Sequence, residues 1–210
     1  MKFEEMVNKV SDLPFFATGF LAAGEKLAQI RLQLSRWVKD GRVIRINKGL
    51  YTLAKPYRKV DPEPFTVANA LKSPSYVSLQ SALSWYGLIP EFVPVTTSVT
   101  TARPQVIETP LGRFEYRHVK TGMFQGYERV RVSSVQDAFV ASAEKAILDL
   151  VHLTPGADSY EYLKELRLQN MDVIDMKKLQ QRASSAGSPK LQRAADNIIK
   201  LEAESGGGQL

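Results

Sequence analysis

The stretch LSRWVKDGRVIRINKGLYTL, Leu34–Leu53, changes its hydrophobic period at a single glycine. Before Gly41 the apolar residues recur at helical spacing. With Ile30 at the origin of a helical wheel, Leu27, Leu34, Trp37 and Val38 fall within about 60–80° of it and form one apolar stripe. Gln29, Ser35, Arg36 and Lys39 fall on the opposite side. Asp40-Gly41 supplies a helix stop, because glycine takes the left-handed conformation at the position after a helix end. Beyond it the period is two: Val43, Ile44 and Ile46 read as a strand, Asn47-Lys48-Gly49 as a turn, and Leu50–Leu53 as the returning strand.

Upstream, Phe3, Met6, Val7 and Val10 follow helical spacing, so a first helix is expected from about Lys2 to Val10, ending before Pro14. A short second helix is expected from an N-cap at Thr18 through Ala23, with Gly24 as its stop. Three helices followed by a basic hairpin is the order of a winged helix-turn-helix. In that arrangement the third helix can enter a DNA major groove while the hairpin lies against the flanking backbone.

Charge agrees with that order. The chain carries 28 Lys and Arg against 22 Asp and Glu, a net +6. Residues 1–60 hold twelve of the basic residues and five of the acids, a balance of +7, which leaves −1 for the other 150. Between Lys26 and Lys59 ten basic residues face only Asp40. The basicity is therefore a local patch suited to a polyanion, nucleic acid being the usual one.

Lys55–Phe65, KPYRKVDPEPF, has three prolines and mixed charge and reads as a linker or a stiff domain entry. The expected organisation is a DNA-binding domain over 1–58, a linker over 59–70, a second domain over 71–204 and a flexible tail over 205–210. In the second domain YVSLQSALSWYGLIPE suggests a helix capped by Ser78 and stopped at Gly87. VPVTTSVTT and RFEYRHV read as strands, and the Thr109–Gly112 turn makes Gln105–Val119 a hairpin. YERVRVSS is a further strand, and SAEKAILDLVHL a helix with Ser142 as its N-cap. The remainder is helical, at Tyr160–Leu168, Met171–Ala183 and around Leu191–Leu201, before a glycine-rich end. The fold class expected is α+β: the winged helix-turn-helix, then a mixed α/β domain with a helical C-terminus.

Little here suggests chemistry. The chain has no cysteine, which excludes disulfides, thiolate zinc sites and cysteine nucleophiles. His118 and His152 lie on different elements without the company a metal site needs and read as structural. GxxxxGK[ST], GxGxxG and GxSxG are all missing. Glu144, Lys145 and Asp149 could suggest a nuclease, but the i, i+4 relation of Lys145 and Asp149 is more simply a surface ion pair. Neither an enzyme nor a bound cofactor is expected. No apolar run approaches the ~20 residues of a membrane span, and MKFEEMVNKV is not a signal peptide, so a cytoplasmic protein is expected.

The winged helix ending in GLYTL, then YVSLQSALSWYGLIPE, TSVTTARP, ETPLGRFEYRHV and EKAILDLVHL, in that order, resembles the AbiEi family of antitoxins over roughly residues 10–155. These are the regulators of type IV, abortive-infection toxin–antitoxin pairs. The chain departs from the family pattern at Ser142-Ala143, where a Thr-Pro is expected. The resemblance implies a bacterial repressor whose N-terminal domain binds inverted repeats in its own promoter. It also implies a C-terminal domain that opposes a nucleotidyltransferase-like toxin without a stable complex. A regulator whose second domain serves another partner is the alternative.

On this reading Gln29, Gln33 and Arg36 face base edges, since glutamine pairs with adenine and arginine with guanine. Arg31, Lys39, Arg42, Arg45 and Lys48 hold phosphates. The Lys and Arg residues of the C-terminal helices, Lys178 and Arg182 among them, are balanced by acids and read as solvated faces. Without a heptad seam or a large apolar patch in the sequence, a monomer that associates on DNA is expected.

Overall fold

The structure is a computed structural model and describes residues 1–22 and 26–206; of Ser205 and Gly206 only the backbone is described. The chain is mixed α+β. Its first part runs α1 (Phe3–Val10), β1 (Phe16–Ala17), α2 (Thr18–Leu21), α3 (Leu27–Lys39), β2 (Val43–Asn47) and β3 (Leu50–Leu53). The three strands form one antiparallel sheet in the order β1-β3-β2. Met6, Val10, Phe16, Leu21, Ile30, Leu34, Trp37, Val43, Tyr51 and Leu53 make its core.

Most of the expected local signals are present. Asp40 closes α3 through its backbone N–H on the Arg36 carbonyl, and Gly41 follows at φ +71°. Two details differ. Thr18 is the first residue of α2 rather than its cap, a place taken by Ala17 without a side-chain hydrogen bond. Thr18 Oγ instead donates to the Gly49 carbonyl at 3.3 Å, tying α2 to the hairpin turn. The expected end of that helix, Ala23 and Gly24, lies outside the described residues. Leu27, assigned to the apolar stripe, is 40% exposed.

The second part contains α4 (Pro64–Leu71), β4 (Ser75–Val77), α5 (Leu79–Trp85), β5 (Val95–Thr100), β6 (Gln105–Thr109), β7 (Gly112–His118), β8 (Tyr127–Ser133), β9 (Gln136–Ala141) and α6 (Ala143–Leu153). It ends with α7 (Tyr160–Glu165), α8 (Met176–Ser185) and α9 (Pro189–Gly206). Its six-stranded sheet has the order β6-β7-β5-β4-β9-β8. The predicted β6–β7 hairpin is formed, pairing Thr109 with Gly112 through Gln105 with Tyr116. Ser142 caps α6, its Oγ accepting from Lys145 N–H at 3.3 Å. The tail differs: α9 runs to Gly206, and residues 207–210 lie outside the described residues.

Three expectations are corrected. The linker is largely a helix, because Pro64 occupies the first turn of α4, where its missing N–H costs nothing. Val67 and Ala68 bury that helix in the large core, and Tyr116 Oη donates to the Ala68 carbonyl at 2.7 Å. Just before it, Gln136 grips the backbone, donating to the Asp61 carbonyl and accepting from Glu63 N–H.

The junction between the two parts is also packed. A register shift between Arg45 and Asn47 breaks the alternation of β2, and Ile46, buried to 3% exposure, joins the large core instead of the small one. Phe15 and Leu50 pack against that same core.

The third correction concerns Lys145 and Asp149, which do pair but are buried, with 5% and 0% exposure. α6 packs against α5 on one side and α8 and α9 on the other, so even its polar residues lose contact with water. Asp149 Oδ2 accepts from Tyr76 Oη at 2.9 Å and Ser78 Oγ at 2.8 Å, while Lys145 Nζ donates to Oδ1. Ser78 precedes α5 as expected, but it spends its hydroxyl on Asp149 and not on the helix end.

Candidate nucleic-acid interface

α3 and the β2–β3 hairpin enclose a groove of about 840 Å³. Arg31 and Ser35 of α3 form one wall; Arg45 and Lys48 of the hairpin form the other, with Thr18 and Gly19 of α2 at one end. Arg31, Arg45 and Lys48 are exposed. Among the described residues no carboxylate pairs with any of them within 4.0 Å. The hairpin is short because Lys48 and Gly49 alone connect the Asn47–Leu50 pair; Asn47 Oδ1 accepts from Lys48 N–H at 2.8 Å, and Gly49 supplies the required φ of +79°. The turn thus holds Lys48 beside the helix.

The expected contact residues do not all meet at one place. Arg31, Arg45 and Lys48 meet at the groove. Gln29 and Arg36 are exposed on the other flank of α3, and Lys39 lies between the flanks near the helix end. Gln33 is set apart: it lies about 60° from Ile30 on the wheel, is only half-exposed, and its Oε1 is buried without a hydrogen-bond partner. It lies nearer the core than Gln29 and Arg36 on the same flank of α3. Arg42 stands over the Phe3 ring at 5.2 Å from its centroid, so its cation is partly engaged by an aromatic face.

Leu32 was not foreseen. It is 58% exposed near the centre of the outward face, about 160° from Ile30. The wheel contained the signal, since a leucine opposite the core stripe has no folding role to satisfy.

The two histidines sit apart, and among the described residues no group of three or more His, Cys, Asp or Glu could hold a metal. His118 Nδ1 lies 3.1 Å from the Ala102 carbonyl oxygen. Burial holds the His152 imidazole below its ordinary pKa of 6.5; Lys145, Lys190 and Lys120 push the same way and Asp149 opposes them. A histidine depressed in the folded state binds fewer protons there than in the unfolded chain. Its stabilising contribution is complete above pH 6.5 and is lost as pH falls through that value toward the folded pKa. The melting temperature should therefore fall between pH 6.5 and 5 more steeply in the native chain than in His152→Gln, as differential scanning calorimetry would show.

No helix among the described residues is long and apolar enough to cross a membrane. No family model matches the chain, and no curated protein matches it.

Proposed function

We propose that residues 1–58 are a winged helix-turn-helix that binds duplex DNA, with α3 as the helix in the major groove and the β2–β3 hairpin as the wing. The observation that carries this reading is the meeting of Arg31, Arg45 and Lys48 around one groove, with no carboxylate within 4.0 Å of them among the described residues. Exposed cations brought by two elements to one groove form a positive surface suited to the phosphates of a polyanion. Arg31, Arg45 and Lys48 hold phosphates, and Lys39 and Arg42 extend that track. Gln29 and Arg36 reach base edges, with Leu32 available to thymine methyls.

Together with the order of the sequence segments, this supports an AbiEi-type autoregulator that represses its own operon and acts as the antitoxin to a nucleotidyltransferase-like toxin. Fluorescence anisotropy tests it, using the DNA upstream of the gene against a scrambled duplex across a salt series. Preference for the upstream DNA that persists at ~150 mM salt is the expected result; equal binding that disappears with salt contradicts it. Arg45→Ala and Lys48→Ala should each weaken all duplexes alike and reduce the slope of log K against log salt by ~0.9. Arg36→Ala should instead reduce discrimination, by ~1–3 kcal/mol.

The antitoxin role requires a full-length test. Ile46, Phe15 and Leu50 pack into the large core, so cutting the chain near residue 60 would uncover that core. Arg45→Ala/Lys48→Ala, both on the exposed hairpin, removes DNA binding and leaves the core whole. Growth rescue by this variant beside the toxin, expressed from an unrelated promoter, separates antitoxicity from DNA binding; failure of rescue joins the two.

A further inference from the structure

A second cleft, of about 900 Å³, opens between the 3-10 turn at Thr121–Met123, α6, α8 and the start of α9. Its charged lining is entirely basic: Lys120, Lys145, Lys178 and Arg182, with His152 among them. Lys145 is neutralised by Asp149. Lys178 has a loose partner in Asp175 at 3.5 Å. Lys120 and Arg182 have no carboxylate partner among the described residues. Glu144, the nearest other acid on α6, is already occupied, because Ser142 Oγ donates to its Oε2 and Asp175 N–H to its Oε1.

Arg182 is positioned by packing. A Cβ built on Gly126 would stand 2.4 Å from Arg182 Nη1 and 3.3 Å from Lys145 Cγ. The absence of a side chain at 126 is what admits the guanidinium to the wall. Positioning a guanidinium without using its donors leaves it prepared for an external anion. The floor beside it is apolar, from Met123, Leu148 and Leu191, and the volume is within the range of small-molecule sites. His152 also lines the cleft, where its ring can donate a hydrogen bond to a phosphate oxygen.

We propose that this cleft binds a nucleoside polyphosphate, with Lys120, Lys178 and Arg182 on the phosphate oxygens and the base against Met123, Leu148 and Leu191. Cations at the rim of an apolar floor suit a small ligand carrying both charge and a flat ring. A duplex backbone offers phosphates but no accessible ring. The site lies in the second part of the chain, and its test does not depend on DNA binding.

Isothermal titration calorimetry of the full-length protein at ~150 mM salt, with ATP, adenosine and inorganic triphosphate as separate probes, decides the matter. The expected result is saturable ATP binding at least tenfold tighter than that of triphosphate, with no heat from adenosine. Arg182→Ala and Lys120→Ala should each weaken ATP by about tenfold, the scale of one charge-assisted hydrogen bond. Lys120 is exposed, so its variant keeps the test meaningful if Arg182→Ala loses stability, which an unchanged melting temperature would verify. Absence of ATP binding, or an affinity unchanged in Lys120→Ala, overturns the site. Triphosphate binding as tightly as ATP, or DNA displacing ATP stoichiometrically, overturns the nucleotide assignment.

Discussion

Asp149→Asn lowers the stability of the protein by about 3–5 kcal/mol, the cost of leaving a buried charge without its partner. Lys145 is 5% exposed and its ammonium donates to Asp149 Oδ1. An amide at 149 can still accept from Tyr76 and Ser78, so the variant isolates the loss of charge from the loss of the two hydroxyl bonds. Burial raises the Asp149 pKa, and Lys145, Ser78 and Tyr76 lower it only in part. The carboxylate is thus held in place at a desolvation cost. It follows that Lys145→Met/Asp149→Asn should recover much of the loss, because the double variant removes both charges and keeps an acceptor for the hydroxyls. Urea denaturation of the four proteins in a double-mutant cycle gives the coupling directly. A single-variant loss under about 1 kcal/mol would mean that water reaches Lys145 and that the pair is in effect a surface one.

Trp37→Ala has an effect of similar size, about 3–5 kcal/mol, through the cavity it leaves. The small core around α3 has few large side chains, and Trp37 is its largest. Its indole meets the Phe3 ring edge-on, with centroids 5.4 Å apart, and Phe3 in turn meets Tyr57 at 5.0 Å. Loss of the indole therefore detaches α1 as well as α3. Ile46, Phe15 and Leu50 leave the large core when the first part melts, so the expected result is that the first part melts early and the second melts below the native midpoint. Circular dichroism together with hydrogen exchange would resolve the steps. A native spectrum and native exchange at Ile30 and Leu34 would contradict the assigned core. Loss of DNA binding in this variant reports unfolding, which is why the exposed Arg45 and Lys48 are the informative positions for the interface.

Where the reading from sequence succeeded, the interactions are local. The stop of α3 at Gly41 and the hairpin turn depend on residues within about four positions of one another. The same holds for the Gln105–Thr109 and Gly112–His118 hairpin and for the Ser142 cap. Where it failed, the deciding partner is far along the chain. β4 is three residues long and wholly buried, with no period to recognise, and its neighbour β9 is reached through the Val77–Val140 pairing. Both were missed, although β4 is one of the two central strands of the large sheet and β9 joins it to the edge strand β8.

The same distinction governs the two candidate sites. An excess of cations between Lys26 and Lys59 was visible in the sequence because they are consecutive. That Arg31, Arg45 and Lys48 share a groove while Gln33 turns toward the core follows from how α3 lies on the sheet. Lys120, His152 and the α8 residues Lys178 and Arg182 come from three separate segments, so the basic cleft has no signature along the chain.

Sequence alone determined the local conformations and the concentration of charge, because capping, turn geometry and periodicity act between near neighbours. Tertiary structure decided which faces lost water, and with that the burial of the Lys145–Asp149 pair, the transfer of Ile46 to the large core and the convergence of cations from distant helices. Burial depends on what packs against a residue from elsewhere in the chain, and a helix such as α6, covered on both sides, gives no local sign of it.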